Sequence, residues 1–307
     1  MSSLTKPLRL GTRASPLAMA QAVLVRDALC AVHGWADEAI EIVPIVASGD
    51  KILDRALADV GGKALWTREL DAWLGEGAID FAVHSMKDVE TIRPKAFSIA
   101  AMLPRADVRD RLLGAASIAE IPKDGRVGTS APRRTAQMLR MRPDLEITLF
   151  RGNVNTRLAK LANGDVAATL LAAAGLDRLG MDDVGIPIAI DIMLPAPSQA
   201  AVGIECLTSN SSVMALLGAI NHPETHVCVT AERALLGALS ADCRSPVAAL
   251  AVIDADEIWL RAEIYAEDGS EMVQGESRFA VNERGKAEAL AKTLLAKASP
   301  QLRATFG

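Results

Sequence analysis

With 307 residues, half of them hydrophobic, the chain has material for two or three cores, more than one domain of about 100–150 residues can use. Charged residues make up 23% and the net charge is −5, which excludes global disorder and disfavours a sequence-independent grip on nucleic acid; aromatics at 3% leave no stripe of rings to stack bases. Of the 33 basic residues 23 are Arg, the side chain suited to bidentate capture of carboxylate or phosphate.

The start, MSSLTKPLRL, lacks the apolar core of a signal peptide, and the longest apolar stretch, residues 166–176, is too short to span a bilayer. Residues 8–10 read as a strand and 15–29 as a helix with Ser15 at the N-cap, Pro16 at N1, and Leu17, Met19, Ala20, Leu24 and Ala28 on its apolar face. Residues 40–46 and 79–84 read as strands, the latter running into the polar loop Ser85-Met86-Lys87-Asp88. Residues 49–67, rich in Gly, Asp and Lys, read in part as a mobile surface loop. Apolar runs alternating with amphipathic stretches predict βα units around a mostly parallel sheet.

A second αβ pattern begins near Arg105, with a strand ending at 125–128, a helix over 130–141, a strand at 147–150, a helix over 155–161 and a buried strand at 166–172. The segments GTRASPLAMAQ at 11–21 and GTSAPRRTAQ at 128–137 echo one another: strand, Gly-Thr turn, capping Ser, Pro, helix. Each puts Arg where backbone N–H groups and a helix dipole present an anion site. Two similar domains facing across a cleft are expected. After Asn221-His222-Pro223 a helix runs to about Leu239; alternating segments at 248–253, 258–266 and 271–279 and an amphipathic helix over 286–297 predict a smaller α+β domain.

Residues 105–160 hold ten Arg and two Lys against six acids, a local net charge of +6 in an acidic chain. Arg133-Arg134 at a helix start, Arg151 in RGNVNTR and Arg157 one turn on form either a solvated basic face or a site that expects an anion. Asp88, beside Lys87 at the end of a buried strand, is either an acid/base carboxylate or a cap for the next turn. The four cysteines show no C-x-x-C pair, so reduced cytosolic thiols are expected. Cys243 alone falls in a polar loop, next to Arg244, and has the most accessible thiol, functional or inert. His222 and His226 lie four apart, but no third ligand is near and Asn221-His222-Pro223-Glu224 reads as a helix start, so no metal is expected. Gly61-Gly62-Lys63 lacks the spacing of a phosphate loop, which argues against nucleotide binding.

Nine segments in order resemble the porphobilinogen deaminase (hydroxymethylbilane synthase) family: RLGTRASPLA at 9–18, GDKILD at 49–54, VGGKALW at 60–66, AVHSMKD at 82–88, VGTSAPRR at 127–134, LFRGNVNTRL at 149–158, AAGLDRLG at 173–180, AVGIEC at 201–206 and the Cys243 loop. The resemblance implies an α/β fold: two periplasmic-binding-protein-like α/β domains facing across a cleft plus a smaller C-terminal α+β domain. The domains would be 1–103 with a return segment 200–219, 104–199, and 220–307. It implies a cytoplasmic, monomeric transferase with no nucleic-acid or membrane partner. Four porphobilinogen units would be deaminated and joined on a dipyrromethane cofactor bound through a thioether to Cys243.

Residue by residue, Arg133, Arg134, Ser130, Lys87 and Asp88 would hold the cofactor. Arg13, Ser15, Arg151, Arg157, Arg178 and Trp66 would bind substrate, the Arg residues pairing with pyrrole acetates and propionates. Asp88, with Lys87, would be catalytic, protonating the leaving amine, stabilising the azafulvene cation and taking up the pyrrole proton. Three departures stand out. Val89-Glu90 replaces Val-Pro and adds a negative charge near a site for anions; Ala241-Asp242 replaces Gly-Gly, removing two permissive backbone positions and setting a carboxylate by the thiol; Ser198 and Ala200 flank Gln199 where the family tends to have Gly. The alternatives are a non-catalytic carboxylate-binding protein, which leaves Cys243 and Asp88 unexplained, and an inactive relative.

Overall fold

Ser15 starts the first helix as its side chain predicts, its Oγ accepting from the Ala18 N–H with Pro16 in the first turn. The computed structural model describes residues 6–45, 67–283 and 285–306. In chain order these form β1 (Leu8–Arg13), α1 (Pro16–His33), β2 (Ile40–Ile45), α2 (Arg68–Gly75), β3 (Phe81–Ser85) and β4 (Phe97–Met102). Next come β5 (Asp110–Leu113), β6 (Arg126–Thr129), α3 (Pro132–Met141), β7 (Glu146–Leu149), α4 (Val154–Ala162), β8 (Ala168–Ala172), α5 (Ala173–Asp177) and β9 (Ile186–Pro187). The last stretch holds β10 (Val202–Leu207), α6 (Ser211–Gly218), α7 (Pro223–Ala238), β11 (Val247–Asp254), β12 (Glu257–Tyr265), β13 (Met272–Ala280), α8 (Gly285–Lys297) and α9 (Pro300–Ala304). Among the described residues no helix is long and apolar enough to cross a membrane.

The described residues divide into two compact units, one of residues 6–45, 67–106 and 200–226, the other of 107–199 and 227–306. The first unit carries a five-stranded sheet in the order β2-β1-β3-β10-β4, the second one in the order β7-β6-β8-β5-β9. The pairings match strand for strand: β1 is parallel to β2 and β3 as β6 is to β7 and β8, while β10 and β5 run antiparallel to both their neighbours. The echo in the sequence is thus one architecture used twice. Its glycines share a reason, since a Cβ at Gly11 would lie 2.3 Å from Ile79 and one at Gly128 would lie 2.5 Å from the Phe150 ring. Both Gly-Thr pairs lie inside strands and not in turns.

Helix α1 buries Gln21, Ala22, Val25, Leu29 and Cys30, whereas Leu24 is exposed, so its packed face is rotated from the one expected. The buried stripe combines Ala22, Val25, Leu29 and Cys30 with one glutamine, and Val25 and Leu29 pack with Leu10, Phe81 and Ile204. The second unit also holds the antiparallel sheet β11-β12-β13, whose inner face buries Leu260, Ile264 and Phe279 against Leu235, Leu239, Leu290 and Leu294. Each such burial contributes roughly 1.5–3 kcal/mol. Tyr265, Leu250 and Ala248 from this sheet pack on Ala136 of α3 and on Leu194.

Candidate functional site

In the first unit β1 and β3 are parallel neighbours, so their carboxyl ends lie at one edge of the sheet, where open α/β sheets bind ligands. Arg13 closes β1, Ser15 caps the helix that follows, and β3 ends in a single 3₁₀ turn, Met86–Asp88, which presents Lys87 and Asp88 half-buried. Arg13, Ser15, Lys87 and Asp88 are thereby brought to the same end of one sheet. The start of the turn is fixed: Gln21 Nε2 donates to Ser85 Oγ at 2.9 Å, the Met86 N–H donates to the Ala201 carbonyl at 3.0 Å, and the Met86 side chain is fully buried.

Glu90 does not add a loose negative charge here. Its Oε2 accepts from Arg93 Nη1 at 2.6 Å and its Oε1 from Thr67 Oγ1 at 2.8 Å. Arg93 also forks onto Glu205, with Nε to Oε1 at 2.8 Å and Nη2 to Oε2 at 2.9 Å, and onto Asp71 at 2.5 and 3.2 Å. His84 Nε2 lies 3.0 Å from Glu205 Oε2. Burial works against ionisation of Glu205, but the His84 and Arg93 contacts outweigh it and hold the carboxyl at about 2. At Asp71 burial wins, and with Glu205 and Glu90 nearby the carboxyl is pushed above its ordinary value despite Arg93.

In the second unit β6, β7 and β8 are parallel, so Ser130 after β6, Arg151 after β7 and α5 after β8 lie at one sheet edge, with Arg157 on α4 and Arg178 closing α5. Arg151 is buried and Arg157 half-buried, with Arg157 Nε donating to the Gly152 carbonyl at 3.0 Å. Burial lowers the Arg178 guanidinium below its usual range. Ser130 does not cap α3; Ala131 stands at the N-cap, and the Thr129 hydroxyl accepts from the Ala131 N–H at 3.2 Å.

Arg133 and Arg134 point into the protein, 4% and 6% exposed, and share one carboxylate: Arg133 Nη2 donates to Asp110 Oδ2 at 2.8 Å and Arg134 Nη2 to Asp110 Oδ1 at 2.7 Å. Gln199 Nε2 adds a bond to Asp110 Oδ1 at 3.0 Å, and Gln137 Oε1 accepts from Arg133 Nη1 at 2.8 Å. Burial alone would raise the Asp110 carboxyl, but the two guanidinium groups hold it far below the carboxylate range. Two cations on one anion leave this cluster one positive charge in excess, and the buried Arg133 Nε and Arg134 Nε have no partner among the described residues. That donor set fits an added carboxylate. Asp110 is the residue that the sequence reading missed; its signal was an acid facing two adjacent arginines across an αβ unit.

Cys243 is exposed, whereas Cys30, Cys206 and Cys228 are buried, and burial raises the thiols of Cys30 and Cys206. The turn after α7 takes its positive φ at Ser240, 53°, not at Ala241 or Asp242, so the two departures from glycine demand no left-handed backbone. Asp242 Oδ1 accepts from the Arg244 N–H at 2.8 Å and its Oδ2 accepts from Arg244 Nη2 at 2.6 Å, so Arg244 is paired with its neighbouring carboxylate. At Ser198 and Ala200 the missing glycines do matter, for both sit at positive φ, 64° and 69°. His222 Nδ1 accepts from the Thr225 N–H at 3.2 Å, as a helix start requires, and His226 Nδ1 pairs with Asn221 Oδ1. Trp66, the 49–54 and 60–66 motifs and Gly61-Gly62-Lys63 lie outside the described residues.

Two family models match: "Porphobilinogen deaminase, dipyromethane cofactor binding domain" over residues 8–215 and "Porphobilinogen deaminase, C-terminal domain" over residues 226–299. The chain is 58% identical to a porphobilinogen deaminase of Sphingopyxis alaskensis, covering 98% of this chain and 96% of that one. It is 48% identical to one from Paracoccus denitrificans, covering 88% and 87%. Among solved structures, an arginine-specific periplasmic binding protein of Salmonella typhimurium aligns with 70% of this chain and 92% of its own, at 13% identity and a TM-score of 0.39.

Proposed function

The chain belongs to the porphobilinogen deaminase family, and from that premise we propose how its own residues divide the work. The activity is that of a hydroxymethylbilane synthase, a transferase of tetrapyrrole biosynthesis that deaminates four porphobilinogen molecules and joins them head to tail. When bound, the dipyrromethane cofactor supplies the covalent primer on which the chain is extended.

Cys243 anchors that primer. The observation that carries this reading is the contrast among the thiols: one is exposed on a turn braced by Asp242 and Ser245, and three are buried. Arg133 and Arg134, with Ser130, hold cofactor carboxylates through the excess positive charge and free Nε–H donors of the Asp110 cluster. Lys87 and Asp88 act on the same group. Arg13, Ser15, Arg151, Arg157 and Arg178 bind the acetate and propionate side chains of incoming substrate, and Trp66 takes a substrate-binding role. Asp88 is the catalytic carboxyl: it donates a proton to the leaving amine, its carboxylate then opposes the cation left by loss of ammonia, and it accepts the proton that the new bond displaces. The half-buried turn restrains Asp88 while leaving it open to substrate. The protein works as a monomer in the cytoplasm, a setting consistent with cysteines that form no disulfide among the described residues, and takes no nucleic-acid or membrane partner.

Intact-mass measurement tests the anchor. The purified protein carries an adduct of two pyrrole units, and Cys243→Ser does not. A mass equal to the bare sequence that stays unchanged after incubation with porphobilinogen overturns the reading.

A further inference from the structure

We propose that Arg93, through Glu90, is a positioning residue for the Met86–Asp88 turn, holding the segment that leaves the turn so that the Asp88 carboxylate keeps one place through successive additions. The proposal deepens the functional reading above and rests on it. The start of the turn is held by the sheet itself, through the Met86 N–H bond to Ala201, the Gln21 bond to Ser85 and the buried Met86 side chain. The other side is framed differently: between the turn and β4 the chain has no helix or strand, and Ile92 is 79% exposed. Val89 is buried, and Glu90 beyond it is tied to the sheet by one guanidinium, with the Thr67 hydroxyl adding a bond.

Arg93 donates to both oxygens of Glu205 on β10, to both oxygens of Asp71 on α2 and to Glu90, two residues beyond Asp88. Glu205 is fully buried in a strand flanked on both sides, and His84 of β3 holds it in turn. The sequence Asp88-Val89-Glu90 is therefore tied to the middle of the sheet through a rigid fork. A lysine in this place keeps the charge but cannot grip two carboxylates bidentately and a third besides. Among the described residues, one guanidinium faces three carboxylates here.

The test measures kcat, KM, adduct mass and melting temperature for Glu90→Gln and Arg93→Lys. Glu90→Gln leaves Arg93 on Glu205 and Asp71 and loosens only the tie to the turn; kcat per adduct-bearing molecule falls about tenfold with KM within about threefold, the pattern of a misplaced reacting group. Arg93→Lys falls about 10- to 100-fold, and the double variant is no worse than Arg93→Lys alone, because the two residues act as one unit. Unchanged kcat in Glu90→Gln overturns the proposal, as does a loss that tracks melting temperature with KM rising in step; should Arg93→Lys fail to fold, Glu90→Gln decides alone. A wild-type protein with neither adduct nor turnover speaks against the functional reading, whereas full turnover in the variants speaks against the clamp only.

Discussion

Ser198 sits at a φ of 64° with its hydroxyl oxygen buried and without a hydrogen-bond partner among the described residues, held by the Glu232 carboxylate, which accepts from the Ser198 N–H at 2.6 Å and from the Ala251 N–H at 2.7 Å. A left-handed backbone costs a non-glycine residue roughly 1–2 kcal/mol, and glycine returns part of that as greater freedom of the unfolded chain. Ser198→Gly is therefore expected to stabilise the protein by about 1 kcal/mol, read from the denaturant midpoint at unchanged slope. The strain has a local use: it turns Gln199 inward, where its amide donates to Asp110 and to the Val108 carbonyl at 2.7 Å. Charge counting along the sequence marked Arg133 and Arg134 as anion binders without showing what else they touch. A carboxylate 23 or 24 residues away becomes their partner only once β5 lies beside β8.

Strand β5 shows why some elements were hidden. Its first two residues are Asp110 and Arg111, which a hydropathy pattern treats as loop, yet all four residues are buried because Asp110 has its two arginines and Arg111 is paired with Asp177 at 2.6 Å. The elements that were legible carried local signals: Ser15 and Pro16 at α1, and period-two alternation along β12; β11, expected to alternate, is instead a continuous apolar run with its first five residues buried. The packed face of α1 differs from the expected one because apolar residues surround the helix: Leu24 outweighs Ala22 and Gln21 in a hydrophobicity count, yet it is Gln21, Ala22, Val25, Leu29 and Cys30 that are buried. Strand β10 has its own titration. Glu205 is held at about 2 against an ordinary 4.5, so its folded value lies below its unfolded one; its stabilisation is complete above about pH 4.5 and is lost as pH falls toward 2. Asp71 acts in the opposite sense, since a raised carboxyl costs stability once it ionises. Wild-type stability followed from pH 5 to 2 should fall across this window, and Glu205→Gln should flatten the fall while lowering the plateau.

Over the whole molecule, an acidic chain carries a local excess of +6 across residues 105–160, and the buried part of that excess, the Asp110 cluster, remains one charge short of neutrality. An anion held there should stabilise the folded state, because nothing comparable binds the unfolded chain. The adduct-bearing protein is accordingly expected to melt several degrees above Cys243→Ser, at about 2–4 °C per kcal/mol for a domain of about 150–250 residues; equal melting temperatures would detach the cofactor from this cluster.

The strand orders also set a schedule for synthesis. All five strands of the second sheet lie within residues 110–187, whereas the first sheet lacks its fourth strand until residues 202–207 have been made. As the chain emerges from the ribosome, the half that is translated first is the one that must wait, with the edges of β3 and β4 unpaired, while the later half can close. Truncations that stop before residue 201 leave an open sheet, and the Asp88 turn loses its tie to Ala201 along with the buried Glu205 that anchors Arg93.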